Sequence, residues 1–339
     1  MIEILLFIIL IFLVSFLFKK KNLLLNFTGQ SHQIFNQEYQ VPLIGGLFIL
    51  IYFFYNFQYF EIILIFYLSA FFLLGFLTDL NFIKSPTFRF FLQILFLLLF
   101  IINLNITIYD VRIEWINRLL ENNHFNTFFV LFCFLVLING SNFIDGNNGI
   151  SLGYFLIIFL LILNLINKEL VFYEVIFITS FISILLILLI FNLFNRLYLG
   201  DSGVYILSLF TGYIVIDLFS QNLNISPYFV ANIFWYPAFE ILFSLIRKIK
   251  SRYSPLIPDT IHFHQLLFLY YLRKINFNKS TLNSITGLTI NLYNGIILYF
   301  ASLNIFNTKM QVLIISFSVV LYLLIYYFLL NYKNLSFKK

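Results

Sequence analysis

Residues 126–149 read NTFFVLFCFLVLINGSNFIDGNNG. The first part, 126–144, is mostly apolar and close to the ~20 residues that a helix needs to cross a bilayer. From Asn139 onward the stretch fills with Asn, Ser, Asp and Gly. An apolar run of that length ending in such a block predicts a membrane-spanning helix whose last turns open into a polar site.

Apolar runs recur at 2–18, 41–57, 59–78, 88–107, 150–166, 172–191, 203–219, 229–246, 280–303 and 310–331, which with 126–144 makes eleven expected spans. The run 203–219 is the weakest, because it holds Thr211 and Asp217. Composition agrees. Of the 339 residues 62% are apolar and only 10% charged, and the mean hydropathy is +0.97. A soluble domain has about half and about a quarter. No soluble chain of this length could hide so much apolar surface, so the expected class is all-α and polytopic. The one cysteine, Cys133, lies in an apolar run and cannot form an internal disulfide.

Eleven spans alternate the connecting segments between two sides. Of the 20 Lys and Arg, only Arg112, Arg118, Lys168 and Lys309 fall on one side. The positive-inside rule makes the other side cytoplasmic, with the N-terminus outside and the C-terminus inside. Lys19, Lys20 and Lys21 follow the first apolar run, the reverse of a cleaved signal peptide, so 2–18 reads as a retained span. The chain reads as a single domain, 1–339, with cytoplasmic loops at 19–40, 79–87, 145–149, 192–202 and 247–279. The last has room for a short interfacial helix. Outside, Ile113, Trp115, Ile116, Leu119 and Leu120 have helical spacing within 108–125, which predicts an amphipathic piece on the membrane.

Four polar blocks fall on the cytoplasmic side of this map. They are Gly75-Phe-Leu-Thr78-Asp79, the 139–149 block with Asn142 and Asp145, Leu199-Gly200-Asp201-Ser202-Gly203, and Pro258-Asp259-Thr-Ile-His262-Phe-His264-Gln265. Glu38 is the remaining acidic residue assigned to that side. Carboxylates brought together repel unless a cation or protons intervene. A hard divalent ion is the economical solution, since Mg²⁺ uses one or two carboxylates, keeps waters and binds substrate phosphates. The local excess of Lys and Arg suits an anionic substrate. The residues therefore point to Mg²⁺-assisted phosphate chemistry at the cytoplasmic surface, with Mn²⁺ as the alternative ion. No nucleic-acid partner is expected.

The same blocks resemble the polyprenyl-phosphate N-acetylhexosamine-1-phosphate transferases, glycosyltransferase family 4. That family shows Gly-x-x-Asp-Asp, Asn-x-x-Asn-x-x-Asp-Gly-x-Asp/Asn-Gly, Gly-Asp-Ser-Gly and a cytoplasmic Pro-Asp-x-x-His-x-His, in this order. Pro42 with Gly45-Gly46, and Ser85-Pro86 with Arg89 and Gln93, match further positions, so the resemblance runs from about Val41 to Leu267. The eleven-span, N-out arrangement resembles the undecaprenyl-phosphate GlcNAc-1-phosphate branch more than phospho-MurNAc-pentapeptide translocase. The resemblance implies transfer of a sugar-1-phosphate from a UDP-sugar to a polyprenyl phosphate in the inner leaflet, with release of UMP. It also implies a bacterial cytoplasmic membrane, a first step of cell-envelope glycan synthesis such as O-antigen, and a homodimer.

Residue by residue, the resemblance implies Asp201 and Asn142 as metal ligands beside the diphosphate. Asp145 and Asn148 fall where the family lines its nucleotide site. Asp79 matches the second carboxylate of the acidic pair, which orients or deprotonates the lipid phosphate or holds the metal's waters. His262 and His264 match the histidine segment that contacts phosphate or sugar. Arg89, Asn139 and Gly200 are expected on the substrate side. Two positions depart from the pattern. Thr78 stands where the first aspartate is usual, and Gln265 where many relatives carry a third histidine. Thr78 leaves open an inactive, lipid-binding relative. A transporter or flippase is the other alternative, although its polar residues belong nearer the bilayer midplane, in repeated halves.

Overall fold

The computed structural model describes residues 2–25, 41–168, 175–220, 222–250 and 261–336. His32 and Glu38 in the loop 19–40, and Pro258 and Asp259 in the loop 247–279, lie outside the described residues. The apolar runs fold as α1 (Ile2–Lys20), α2 (Gly45–Tyr55), α3 (Ile62–Asp79) and α4 (Pro86–Asn103). A short α5 (Glu114–Leu120) leads into α6 (Asn123–Ile144), α7 (Ile150–Asn167), α8 (Val175–Leu193) and α9 (Gly200–Ser220). There follow α10 (Pro227–Ile233), α11 (Trp235–Lys250), α12 (Phe263–Lys274), α13 (Lys279–Ser302) and α14 (Thr308–Ser336).

Each of the eleven expected segments holds a helix. Seven described helices, α3, α4, α6, α7, α8, α9 and α14, are long and apolar enough to cross a membrane, and the bent pair α10–α11 counts as an eighth. The segment 41–57 is cut short, because α2 has only 11 residues, about 16 Å of helix. The residues before it are drawn elsewhere. Tyr198 donates its N–H to Pro42 O (2.9 Å), and Gly45 and Gly46 donate to Tyr198 O (2.9 Å) and Leu199 O (3.1 Å). This short parallel pairing ties the start of α2 to the start of α9. Helix α13 is long enough, with 24 residues, but buries Asn283, Thr286, Asn291 and Asn294.

Helix α9 is the centre of the bundle. It is enclosed nearly all round, with α2, α3, α6, α7 and α10 packed on it. A helix apolar on every side is an interior helix. Phe53, Phe159, Phe177 and Phe181 interlock with its Phe210, with ring centroids 4.6 Å apart for Phe53–Phe210 and 4.7 Å for Phe159–Phe181. Such edge-on contacts give packing that apolar matching alone does not, because lipid is as apolar as leucine. The exposed faces of α4 and α14 carry Leu95, Leu99, Leu313, Phe317 and Leu324, as a lipid-facing surface would.

The expected span 229–246 is broken. Helices α10 and α11 meet at 73°. Pro237 explains the place, since a proline cannot continue a helix through the carbonyl four residues earlier, here Ile233. The released Ile233 carbonyl accepts a hydrogen bond from Tyr154 Oη at 2.7 Å. The expected amphipathic stretch 108–125 is helical over α5, with Trp115 exposed and Leu120 buried. Beside it, Arg112 reaches Phe306 O, Thr308 Oγ1, Leu223 O and Asn224 O, fastening the loops of that end together. The large loop 247–279 contains α12, which packs on α13 and α14.

Candidate active site

The first turn of a helix leaves backbone N–H groups without partners. At α9 they are met from another helix. Asp79, the last residue of α3, accepts from Asp201 N (2.9 Å), Ser202 N (3.1 Å) and Ser202 Oγ (2.9 Å). Gly200 allows the approach. Its φ is +74°, and a Cβ there would sit 2.7 Å from Asp79 Oδ2. The first and third polar blocks are thus one structure, with Asp79 as a cap supplied in trans to α9.

Arg89 comes from the first turn of α4, where Pro86 opens the helix and Ser85 Oγ accepts from Phe88 N. Its Nη1 lies 2.9 Å from Asp201 Oδ2, with both side chains about a quarter exposed. Tyr205, one turn along α9, donates to the same oxygen at 3.5 Å. Thr78 turns away: its hydroxyl donates to Leu74 O at 2.9 Å within its own helix.

The second block forms the end of α6 and the turn into α7. Asn142 is half-buried and stands three residues before Asp145, on the same side of the helix. Asp145 follows the last turn. Burial pushes its carboxyl up to about 8; a hydrogen bond from Ser151 opposes the shift, and the charges of Asp201 and Asp79 add to it. Asp145 therefore lies within electrostatic reach of the first and third blocks. Asn139 ties α6 to α4, donating to Gln93 Oε1 at 3.0 Å.

The turn itself is held by asparagines from three other places. Asn148 exchanges hydrogen bonds with Asn283 (3.2 and 3.1 Å) and donates to Asn195 Oδ1 (2.8 Å). Gly149, at φ +80°, donates to Asn192 Oδ1 (2.6 Å), and its carbonyl accepts from Asn291 Nδ2 (2.6 Å). Asn148 is 3% exposed, so its amide is used inside the protein, as a brace for the turn.

The histidine block closes on this turn. His264 lies so near Gly146 that a Cβ there would be 2.1 Å from its Nε2. His262 stacks on His264, ring centroids 5.7 Å apart, and meets Phe143 edge-on at 5.3 Å. Its Nδ1 is 3.1 Å from Glu240 Oε1. Gln265, in the place of a third histidine, caps α12 by accepting from His262 N at 3.1 Å.

All ten expected site residues fall at one end of the bundle, and contacts join the four blocks in pairs. The sequence reading left out the bracing set: Ser202, Asn192, Asn195, Asn283 and Asn291. One signal for it existed, since Asn283, Gly287, Asn291 and Asn294 recur at helical spacing along α13. Among the described residues no three His, Cys, Asp or Glu converge as a metal cage. An apolar cleft of about 390 Å³, lined by Phe129, Phe132, Leu137, Ile216, Val230 and Leu242 among others, lies between α6, α9, α10 and α11. The cleft also takes in Tyr109, Asp110, Leu223 and Pro227, so it extends to the end of the bundle opposite the polar site.

Residues 61–219 match the family described as Glycosyl transferase family 4. The match covers a little under half of the chain, including Asp79, Arg89, Asp145 and Asp201, and it supports a transferase of the sugar-phosphate kind. No curated protein matched the chain.

Proposed function

We propose that this protein transfers an N-acetylhexosamine-1-phosphate from a UDP-sugar to undecaprenyl phosphate or another polyprenyl phosphate, releasing UMP. The convergence of all four blocks on one end of the bundle carries this reading. An oxygen of the lipid phosphate attacks the sugar-side phosphorus. The bond from that phosphorus to the bridging oxygen breaks, and its electron pair leaves with UMP. One P–O bond forms as one breaks, so the protein's work is to position two anions and offset their charge.

The donor set fits a hard cation. Asp79, Asp145 and Asp201 lie within electrostatic reach of one another, with Arg89 as the counter-charge, and an open site of few protein ligands is what Mg²⁺ takes when it shares phosphates. Asp201 and Asn142 would hold Mg²⁺ (or Mn²⁺), which supplies charge screening at the diphosphate. Asp79, with both oxygens on α9 amides, aims Asp201. Arg89 exchanges its ion pair with Asp201 for a phosphate oxygen. Asp145 faces the nucleotide, Asn139, Asn148 and Gly200 shape the walls, and His262 and His264 close over the sugar phosphate. The site faces the cytoplasm of a bacterial inner membrane, in an eleven-span arrangement with the N-terminus outside.

The test is purified protein with undecaprenyl phosphate, Mg²⁺ and a panel of UDP-sugars. UMP release with a matching lipid-linked sugar is the expected result. A folded, lipid-binding sample that releases no UMP from any donor overturns the reading in favour of an inactive relative.

A further inference from the structure

Glu240 is a buried acid with no part in the transfer as described above. It lies in α11, three residues past Pro237, and is 1% exposed. A carboxylate at that depth is costly unless donors surround it. Three do. Tyr322 Oη donates to Oε2, and Phe263 N donates to Oε1 at 3.3 Å. His262 Nδ1 stands 3.1 Å from Oε1. An ionised carboxylate only accepts, so the third contact requires a proton on Nδ1.

The frame around the pair is doubled. Tyr322 and Tyr326 lie one turn apart on α14 with parallel rings, centroids 6.1 Å apart. Glu240 and Arg247 lie two turns apart on α11. Arg247 Nη1 donates to Ile261 O (2.8 Å) and Tyr326 Oη (2.6 Å), and Tyr326 donates to Ile261 O (3.1 Å). Tyr322 stacks on Phe263 at 4.7 Å. Two helices thus grip residues 261–263 with one carboxylate, one guanidinium and two phenols.

We propose that Glu240, held by Tyr322, is the positioning residue of His262: it fixes the ring with Nδ1 protonated, which assigns any proton exchange of His262 to Nε2. A carboxylate behind an imidazole fixes tautomer and orientation in this way. The catalytic meaning rests on the transferase reading; the protonation pattern does not.

Two readouts test it on the full-length protein. In ¹⁵N-histidine-labelled protein, with His262→Asn for assignment, Nδ1 of His262 carries the proton, and Glu240→Gln mixes the two tautomers. An unprotonated Nδ1, or a pattern unchanged by Glu240→Gln, overturns the proposal whether or not the protein turns over. In turnover, Glu240→Gln lowers kcat about 10-fold with a small change in KM, and adds less than about 2-fold in a His262→Asn background. Tyr322→Phe keeps the stacked ring and gives a smaller loss of the same kind. Losses that multiply with His262→Asn would place Glu240 in the fold rather than behind His262, and overturn the proposal. If no UDP-sugar supports turnover, the transferase reading falls and the nitrogen pattern still decides the pairing.

Discussion

Gly146 has no side chain, and that absence is what lets His264 sit on the turn after Asp145. Gly146→Ala would put a Cβ 2.1 Å from Nε2. The clashing atoms belong to the His264 ring and not to backbone, so the ring rather than the chain trace has to shift. The expected outcome is at least about a 10-fold loss of turnover, since a small misplacement of an aligned group is costly, with thermal stability nearly unchanged. A large drop in melting temperature would show that the contact serves folding instead. Asp145 gives a prediction of another kind. Its carboxyl is raised from 3.8 to about 8, so the fold favours the neutral acid. The stability this gives is whole below the unfolded value, declines as pH rises, and is gone above the folded one. With divalent ions chelated, melting temperature should fall between about pH 5 and pH 8 more steeply in the wild type than in Asp145→Asn. Equal slopes would remove Asp145 as the cause.

At the scale of elements, the break between α10 and α11 depends on a partner for the carbonyl that Pro237 releases. Tyr154→Phe leaves Ile233 O without its 2.7 Å donor. That should cost about 1–3 kcal/mol, the penalty for a buried orphan acceptor, read as a lower unfolding midpoint with the donor KM unchanged. An unshifted midpoint would mean that the bend holds without it. The helices were legible in the sequence because apolar runs announce themselves. The polar blocks were legible because each packs its chemistry into a few consecutive residues. Most of the bracing set was not, because Asn192 and Asn195 are single polar residues in apolar surroundings, and their partners lie far along the chain. Thr78 and Gln265 looked like losses in the sequence. In place, one bonds its own helix and the other caps α12. The shortening of α2 was hidden too, since Pro42 to Gly46 read as apolar helix until Tyr198 and Leu199 pair with them.

At the scale of the whole molecule, the polar site sits at one end of the bundle and the Arg112 fastening at the other. The charge distribution assigns them to opposite sides of the membrane. In a Cys133→Ser background, a single cysteine at Asn117 should react with a membrane-impermeant reagent on intact cells. One at Ser85 should react only after the cells are opened. The reverse pattern would invert the proposed topology and put the site outside.

The cap that Asp79 supplies to α9 also has a history within each copy. Its partner Ser202 lies 123 residues further along the chain. At ~5–20 residues per second of synthesis, roughly 6–25 s separate the two. Throughout that interval α3 is in place with an acidic end that has nothing to hold. Helix α9, which brings Asp201, is made after α2, α3, α6 and α7, four of the helices that enclose it. The order of translation thus brings Asp201 to Asp79 together with the backbone amides and the Ser202 hydroxyl that Asp79 accepts from.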